Sequence, residues 1–494
     1  MAPRTRHLSD LGLTARTGGD VAVTGLALDS RKVGRGGLFA ALPGTRVHGG
    51  DFIQYALRMG AGAILTDRQG AEIAAADLAA SDAALVVVED ARAALAHAAA
   101  LWFGAQPGTV VAVTGTNGKT SVASFTRQIW AALDLEAVNV GTTGVEGAFA
   151  APGIHTTPEP LTLHRVLAEM AEAGVTHVAM EASSHGLDQR RMEAVGLAAA
   201  AFTNLTQDHL DYHGDMDSYF AAKLRLFTEL LPEDGVAVVN LDDPHGPRVA
   251  EACARREIEV IGVGQYSEDA ALKITGRRLD ETGQDLLFRW QGQPVQARLP
   301  LIGAFQAMNV LTAAGLVIAA GEAPEAVFAV LPKLTGVRGR MQLAGRRANG
   351  APVFVDYAHT PDALATALKA LRPHVLGRLV VVFGAGGDRD RGKRPLMGQA
   401  AAENADVLFV TDDNPRSEEP GAIRAEVLQG CPEAIEVGDR AEAILRGVDA
   451  LEPGDALLIA GKGHETGQTV GDVIYPFDDV EQASVAVAAL EGRA

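Results

Sequence analysis

The chain has 494 residues, too many for one ordinary core, and domains of about 100 to 200 residues each predict three or so. Its 62 acidic residues outweigh 43 Lys and Arg, for a net charge of −19. That balance argues against a general nucleic-acid binder or an anionic-membrane binder, and leaves small acidic substrates in need of particular arginines. Two cysteines, Cys253 and Cys431, without Cys-x-x-Cys spacing, support neither a disulfide framework nor a zinc module, so a reducing cytoplasm fits best. The N-terminus has no apolar signal core, and the longest apolar stretch, "VLTAAGLVIAAG", is too short to span a bilayer.

In chain order, residues 1–105 mix strand-like runs ("VAVTGLALDS", "GGLFAAL", "GAILT", "AALVVVED") with helix-like "DFIQYALRMG", which predicts a small α/β domain. After "FGAQPG", where Pro107 and Gly108 make a linker, the pattern becomes β-then-α. "TVVAVTG" leads through a glycine turn into "TSVASFTRQIWAAL" and opens a nucleotide-binding type of domain. Further strands are predicted at "VTHVAME", "AAAAFTNL" and "VAVVN", and a second boundary near "LPKLTGVRGRM". The last third repeats the rhythm in "PVFVDYAHT", "RLVVVFGAGG", "ADVLFVTDD" and "DALLIAGKG", each apolar run ending in polar, glycine-rich residues. Parallel α/β sheets bind ligands at the carboxyl ends of their strands, so these endings are where chemistry is expected.

"VAVTGTNGKTS", from Val111 to Ser121, is the strongest local signal. A strand feeds a turn whose glycines let backbone N–H groups converge on phosphate oxygens. Lys119 adds a positive charge, and Thr120 a hydroxyl for Mg²⁺ at a helix start. The spacing departs from the general phosphate-loop pattern, because Val113 stands where that pattern has its first glycine. Downstream, "HVAMEASSHGL" puts Glu181 directly after a strand, where a hard carboxylate can reach Mg²⁺. "TNLTQDHLDYHG" supplies His209, and "SYFAAKLRLF" places Lys223 on an amphipathic helix. Taken singly, residues such as these are more often surface or capped-loop groups.

"TGTNGKTS" resembles the ATP loop of the Mur ligase superfamily, the amide-forming enzymes that build the peptide of bacterial cell-wall precursors, to which folylpolyglutamate synthases are related. The resemblance implies that Gly115, Thr116, Asn117, Gly118, Lys119, Thr120 and Ser121 bind ATP. It also implies that Glu181 and His209 help Thr120 hold magnesium, and that Lys223 is carbamylated by CO₂. Lys223 would then change from a cation into an anion beside the metal, where a bare ammonium would be repelled. "IGAFQAMN" is similar to the family's G-x-F-N-x-x-N segment, with Gln306 in place of the first asparagine and Asn309 as the second. Arg340 in "VRGRMQ" matches an interdomain arginine that approaches ATP on closure.

"HTTPEP" resembles the segment by which third-step ligases of the family hold their UDP-linked substrate, with His155 where relatives often carry asparagine. Thr156, Thr157, Ser183, Gln189 and Arg191 match positions that grip the muramoyl-dipeptide, and Ser30 in "LALDSRKVGRGGLFAALPGTRVHGGDF" matches a uridine contact. "FGAGGDRDRGKRPLM" superficially resembles a dinucleotide GxGxxG, a weak signal for a redox cofactor. It is also similar to the third-step signature, in which Arg389 contacts the incoming amino acid. "AGKGHETGQ" supplies Gly461 and Glu465 for its amino group. "DNPR", Asp413, Asn414, Pro415 and Arg416, has the form found in members that add meso-diaminopimelate. Without the family, "TDDNPRSEEP" reads as a turn after a strand.

The resemblance covers essentially the whole chain and implies an α/β protein of three domains. Residues 1–105 would form a small UDP-substrate-binding domain. Residues 106–335 would form a central phosphate-loop ATP-binding domain with a mostly parallel sheet, and residues 336–494 a Rossmann-like domain that binds the amino acid. The implied activity is ATP-dependent addition of meso-2,6-diaminopimelate to the D-glutamate of UDP-N-acetylmuramoyl-L-alanyl-D-glutamate through an acyl phosphate. ATP, Mg²⁺ and a lysine carbamate would assist, in a cytoplasmic monomer without nucleic-acid or membrane partners. Diaminopimelate differs from lysine by one carboxylate, which a guanidinium grips through two parallel hydrogen bonds. The alternatives are a lysine-adding ligase, a folylpolyglutamate synthase, and a phosphate-loop ATPase that needs neither substrate.

Overall fold

The computed structural model describes residues 4–44, 47–151, 155–280 and 282–492, so Thr45 and Arg46 of the basic N-terminal segment lie outside the described residues. The chain divides into two compact units, residues 1–271 with 312–327, and residues 272–311 with 328–494.

Two largely parallel sheets carry the first unit. The smaller runs Leu26–Ala27, Leu38–Ala41, Ala63–Thr66 and Ala84–Val87, all parallel. Its two middle strands bury every residue, which is why they read as continuous apolar runs rather than as alternating ones. The larger sheet has the order Glu259–Gly264, Val236–Asn240, Leu197–Phe202, Thr109–Thr114, His177–Glu181, Ala137–Gly141, Gly144–Gly147, parallel except for the last pair. The strand Thr109–Thr114 lies between two strands that come later in the chain, so its carboxyl end is a topological switch point where ligands bind. Only residues 115–118 separate it from the helix Lys119–Ala132, whose buried face includes Val122, Phe125, Ile129 and Trp130. Each such side chain contributes on the order of 1.5–3 kcal/mol by leaving water, enough to hold the helix start rigidly against the sheet.

The second unit opens with an antiparallel meander, Leu272–Asp280, Gly283–Trp290 and Gln293–Leu299, that the sequence reading did not anticipate. Its signal is the two-residue turn Gln291-Gly292, both left-handed (φ 47° and 85°), between alternating strands. The main sheet follows in the order Gln342–Arg346, Pro352–Asp356, Ala456–Ala460, Leu379–Phe383, Val407–Val410, Ile435–Glu436, parallel except for the first pair. Its register pairs Asp356 with Ala460, Val382 with Ile459 and Phe383 with Val410. The loops that begin at residues 357, 384, 411 and 461 therefore leave the same edge of the sheet. The expected α/β class with mostly parallel sheets is what the chain adopts. No helix among the described residues is long and apolar enough to cross a membrane.

Candidate active site

The phosphate-loop segment is built on close approach. Gly115 has φ 147°, and a Cβ there would fall 1.9 Å from the Thr203 hydroxyl oxygen, so only glycine lets the loop pass the end of the neighbouring strand. Asn204 ties the loop down, accepting from Thr116 N at 2.9 Å through its carbonyl and from Asn117 N at 2.9 Å through its side chain. Thr203 donates to the Asn117 carbonyl at 2.6 Å. Lys119 Nζ donates to the carbonyls of Gly115 and Thr116, both at 2.9 Å, which keeps an ammonium over the helix start.

Register then explains Glu181. It pairs with Val113 one strand over, which brings its carboxylate to the first turn of the helix. Glu181 Oε2 accepts from the Thr120 hydroxyl at 3.1 Å and the Thr142 hydroxyl at 3.2 Å, and Oε1 accepts from Thr142 N at 2.8 Å. Thr142 was not picked out from sequence. Its position directly after a strand ending in glycine was the one available signal. Among the described residues no three His, Cys, Asp or Glu side chains converge as a metal cage. A hydroxyl beside one carboxylate instead fits Mg²⁺, which takes few protein oxygens and completes its shell with water and substrate phosphates.

Lys223 lies in the same place, 1% exposed, donating to the Gly115 carbonyl at 2.8 Å with its ammonium 4.4 Å from the centre of the Tyr219 ring. Burial, and then the charge of Lys119, push its pKa well below the ordinary lysine range, against a smaller opposing pull from Asp208. His209 is placed differently. It has left-handed backbone (φ 54°), lies 3.4 Å from Asp208, and packs edge-on to His185 at 4.8 Å, in a ring group with Tyr212, His213 and Tyr219.

The positions matched to the UDP-linked substrate form one hydrogen-bonded chain that ends on Glu181. Thr157 donates to the Glu181 carbonyl at 2.8 Å and accepts from the backbone N and hydroxyl of Ser183, both at 3.0 Å. The Thr156 hydroxyl meets that of Thr142 at 3.0 Å. Arg191 donates to the Thr157 carbonyl at 2.7 Å and to Gln189 Oε1 at 2.8 Å, and Gln189 donates to the Tyr212 hydroxyl at 3.1 Å. Ser30, buried at the start of a short 3₁₀ turn, stands apart from this chain.

In the second unit the "DNPR" turn is fastened on two sides. Arg416 has φ 51°. Its N donates to the Thr469 carbonyl at 3.0 Å, its own carbonyl accepts from Gly471 N at 2.7 Å, and its guanidinium donates to the Gly387 carbonyl at 2.7 Å. Asn414 donates to Glu465 Oε2 at 2.8 Å, and its carbonyl accepts from Gly387 N at 2.9 Å. Gly461 lets Asp413 approach, since a Cβ there would lie 2.5 Å from the Asp413 carboxylate. Arg389 and Arg416 both come close to Gly386, whose hypothetical Cβ would lie 2.9 Å from Arg416 Nη1 and 3.9 Å from Arg389 Cγ. Neither arginine forms an ion pair among the described residues, whereas the adjacent Arg391 pairs with Glu426, and Arg394 pairs with Glu418 and Glu426. Outside such ion pairs, both guanidiniums keep the capacity to pair with an incoming carboxylate.

Arg340 stacks over the Tyr357 ring at 4.8 Å, next to His464, whose pKa burial lowers to about 4. Asn309 donates to Gln306 Oε1 at 3.1 Å, so the glutamine that replaces asparagine is turned toward its partner in the same helix. Tyr212, Tyr219, Tyr357 and Lys462 also belong to these surroundings, and sequence reasoning missed all four.

Three family models match in succession: "Mur ligase family, catalytic domain" over residues 22–103, "Mur ligase middle domain" over 113–317, and "Mur ligase, glutamate ligase domain" over 339–463. A Caulobacter vibrioides protein named UDP-N-acetylmuramoyl-L-alanyl-D-glutamate–2,6-diaminopimelate ligase is 50% identical over 99% of each chain. One of the same name from Bradyrhizobium diazoefficiens is 51% identical over 94% of this chain and 95% of its own. A solved structure of a ligase of that name superposes with a TM-score of 0.72 at 33% identity, covering 99% of this chain and 100% of the other. The ADP complex of Thermotoga maritima MurF, at 19% identity and TM-score 0.62 over 95% of this chain and 98% of the other, shares the fold. Identity at this level over the full length shows that the chain belongs to the Mur ligase family.

Proposed function

We propose that this chain joins meso-2,6-diaminopimelate to the D-glutamate of UDP-N-acetylmuramoyl-L-alanyl-D-glutamate, with ATP converted to ADP and phosphate, as a step of peptidoglycan precursor synthesis. The observation that carries the choice of amino acid is the pair Arg389 and Arg416, both close to Gly386 and neither in an ion pair among the described residues. The names and full-length identity of the relatives support the same reaction. In this reading residues 1–105 hold the UDP end, residues 106–335 hold ATP, and residues 336–494 hold the amino acid, with Ser30 on the uridine and Asn309 and Arg340 on ATP.

The loop amides at residues 115–121 and the Lys119 ammonium hold the phosphates of ATP at a helix start. Arg191, Thr156, Thr157, Ser183 and Gln189 orient the muramoyl-dipeptide so that its D-glutamate carboxylate attacks the γ-phosphorus and ADP leaves. The Thr120 hydroxyl and the Glu181 carboxylate, with His209 as the further ligand that the family resemblance implies, would hold Mg²⁺, which when bound would supply positive charge against the phosphates. Lys223, whose neutral amine is favoured by burial, adds to CO₂ with loss of a proton and becomes a carbamate. The resulting anion no longer opposes Lys119 and balances cationic charge at the loop. In the second unit Arg389 and Arg416 grip the distal carboxylate of diaminopimelate. Asn414, Asp413, Pro415, Gly461 and Glu465 frame its amino group. The free amine attacks the acyl phosphate, the tetrahedral intermediate expels phosphate, and an amide remains. The work of the protein is positioning and electrostatics rather than covalent catalysis.

Phosphate release tests this directly. With ATP, Mg²⁺ and the UDP-muramoyl-dipeptide, diaminopimelate is expected to start turnover and lysine is not. Turnover of lysine at a similar rate would favour the lysine-adding alternative. ATP hydrolysis that needs neither peptide substrate nor amino acid would favour a phosphate-loop ATPase.

A further inference from the structure

Lys462 is fully buried (0% exposed) in the loop after the strand Ala456–Ala460, and none of the roles above uses it. A buried ammonium persists only where acceptors replace its water, and here the acceptors are two residues of the amino-acid site. Lys462 Nζ donates to Asn414 Oδ1 at 3.0 Å and to Glu465 Oε2 at 3.2 Å. The backbone supports the arrangement, since Glu465 N donates to the Lys462 carbonyl at 3.0 Å.

These bonds determine which way two polar groups face. Asn414 Oδ1 accepts from both Lys462 Nζ and Thr469 N, the latter at 2.9 Å. Its Nδ2 must therefore point at Glu465, where it donates to Oε2 at 2.8 Å. Glu465 Oε2 thus takes two donors, while Oε1 accepts no hydrogen bond from the described residues, and the side chain is 32% exposed against 0% for Lys462. One carboxylate oxygen is anchored inside and the other is turned outward.

We propose that Lys462 is a positioning residue for the amino-acid substrate: by anchoring Asn414 and one oxygen of Glu465 from below, it presents the other oxygen to the amino group of the incoming diaminopimelate. Lys462 does not touch the substrate. Without its donors Asn414 Oδ1 keeps only the Thr469 N–H and Glu465 Oε2 keeps only the Asn414 amide, so each side chain loses one of the bonds that fix its orientation. This proposal rests on the function proposed above.

The test is steady-state kinetics on the full chain with Lys462→Met, which keeps the stem but removes donors and charge, and Lys462→Arg, which restores both. Lys462→Met is expected to raise the KM for diaminopimelate about tenfold, the scale of one lost hydrogen bond to a charged group. The KM values for ATP and for the UDP-muramoyl-dipeptide are expected to stay within about twofold, and Lys462→Arg to recover most of the loss. If Lys462→Met does not fold, Lys462→Leu carries the same comparison, with an apolar side chain that likewise lacks donors and charge. A diaminopimelate KM that is unchanged or lowered, or three KM values that rise together, overturns the proposal. Wild-type turnover measured alongside separates the two claims. Diaminopimelate-dependent phosphate release with an unaffected Lys462→Met sinks the positioning role alone, and its absence in the wild type sinks the reaction on which it rests.

Discussion

Replacing Arg416 by alanine removes a guanidinium without unfastening the turn that carries it. The backbone of residue 416 is held on both sides, by Thr469 at 3.0 Å and Gly471 at 2.7 Å, whatever its side chain. Alanine also meets the left-handed φ of 51° at much the same cost as arginine, because both carry a Cβ. In the proposed role, what is lost is a bidentate grip on the distal carboxylate, at about 1.5–3 kcal/mol for each hydrogen bond to a charged group. Arg389 remains close to Gly386 and compensates in part, so a net loss of roughly 2–4 kcal/mol is expected, or about 30- to 1000-fold in kcat/KM for diaminopimelate. Lysine has no carboxylate at that end, so its slow turnover should be unchanged and the preference for diaminopimelate should shrink by the same factor. Initial rates of phosphate release with each amino acid, together with the KM for ATP, measure this. Parallel losses for both amino acids, or an equal rise in the KM for ATP, would refute the role of Arg416 as the carboxylate receptor.

Lys223→Ala should be nearly inactive and partly rescued by a short carboxylate such as acetate, which stands in for the carbamate. Full activity without rescue removes the carbamate from the account. Thr142→Val deletes one of the three hydrogen bonds to the Glu181 carboxylate and the contact with Thr156, and is expected to raise the Mg²⁺ concentration for half-maximal rate about three- to tenfold. A magnesium titration that leaves the KM for diaminopimelate unchanged is the supporting result. Arg440 and Asp479, both 0% exposed, form a buried pair at 2.7 Å, and Arg440→Met strands a buried carboxylate. Denaturant unfolding should show a loss of about 3–5 kcal/mol, most of it recovered when Asp479→Leu is added.

What was legible in the sequence was what is contiguous in it. The phosphate loop announces itself because strand, glycines, lysine and helix start fall within a few residues, and Glu181 follows from a strand end. The groups that give these residues their settings come from far along the chain. Thr142 meets Glu181 across 39 positions, Tyr212 meets Gln189 across 23, and Lys462 meets Asn414 across 48, separations that no local pattern reports. The contrast that motivates the proposed role of Arg389 and Arg416 is likewise spatial. Within "GDRDRGKR", Arg391 and Arg394 look equivalent to Arg389 until Glu418 and Glu426 are seen to pair with them and not with it. The meander from Leu272 to Leu299 was missed because its strands carry charged residues on an exposed face and resemble loops by composition, although the Gln291-Gly292 turn marks it.

The most direct test of the central claim is a competition. Purified protein is given ATP, Mg²⁺, the UDP-muramoyl-dipeptide and equal concentrations of meso-diaminopimelate and lysine, and the nucleotide products are weighed by mass spectrometry. The expected product is heavier by one diaminopimelyl residue, with the lysyl product scarcer by a factor on the order of 10⁴, the scale of rejection when a charged receptor is left unpaired. Comparable amounts of both products would contradict it.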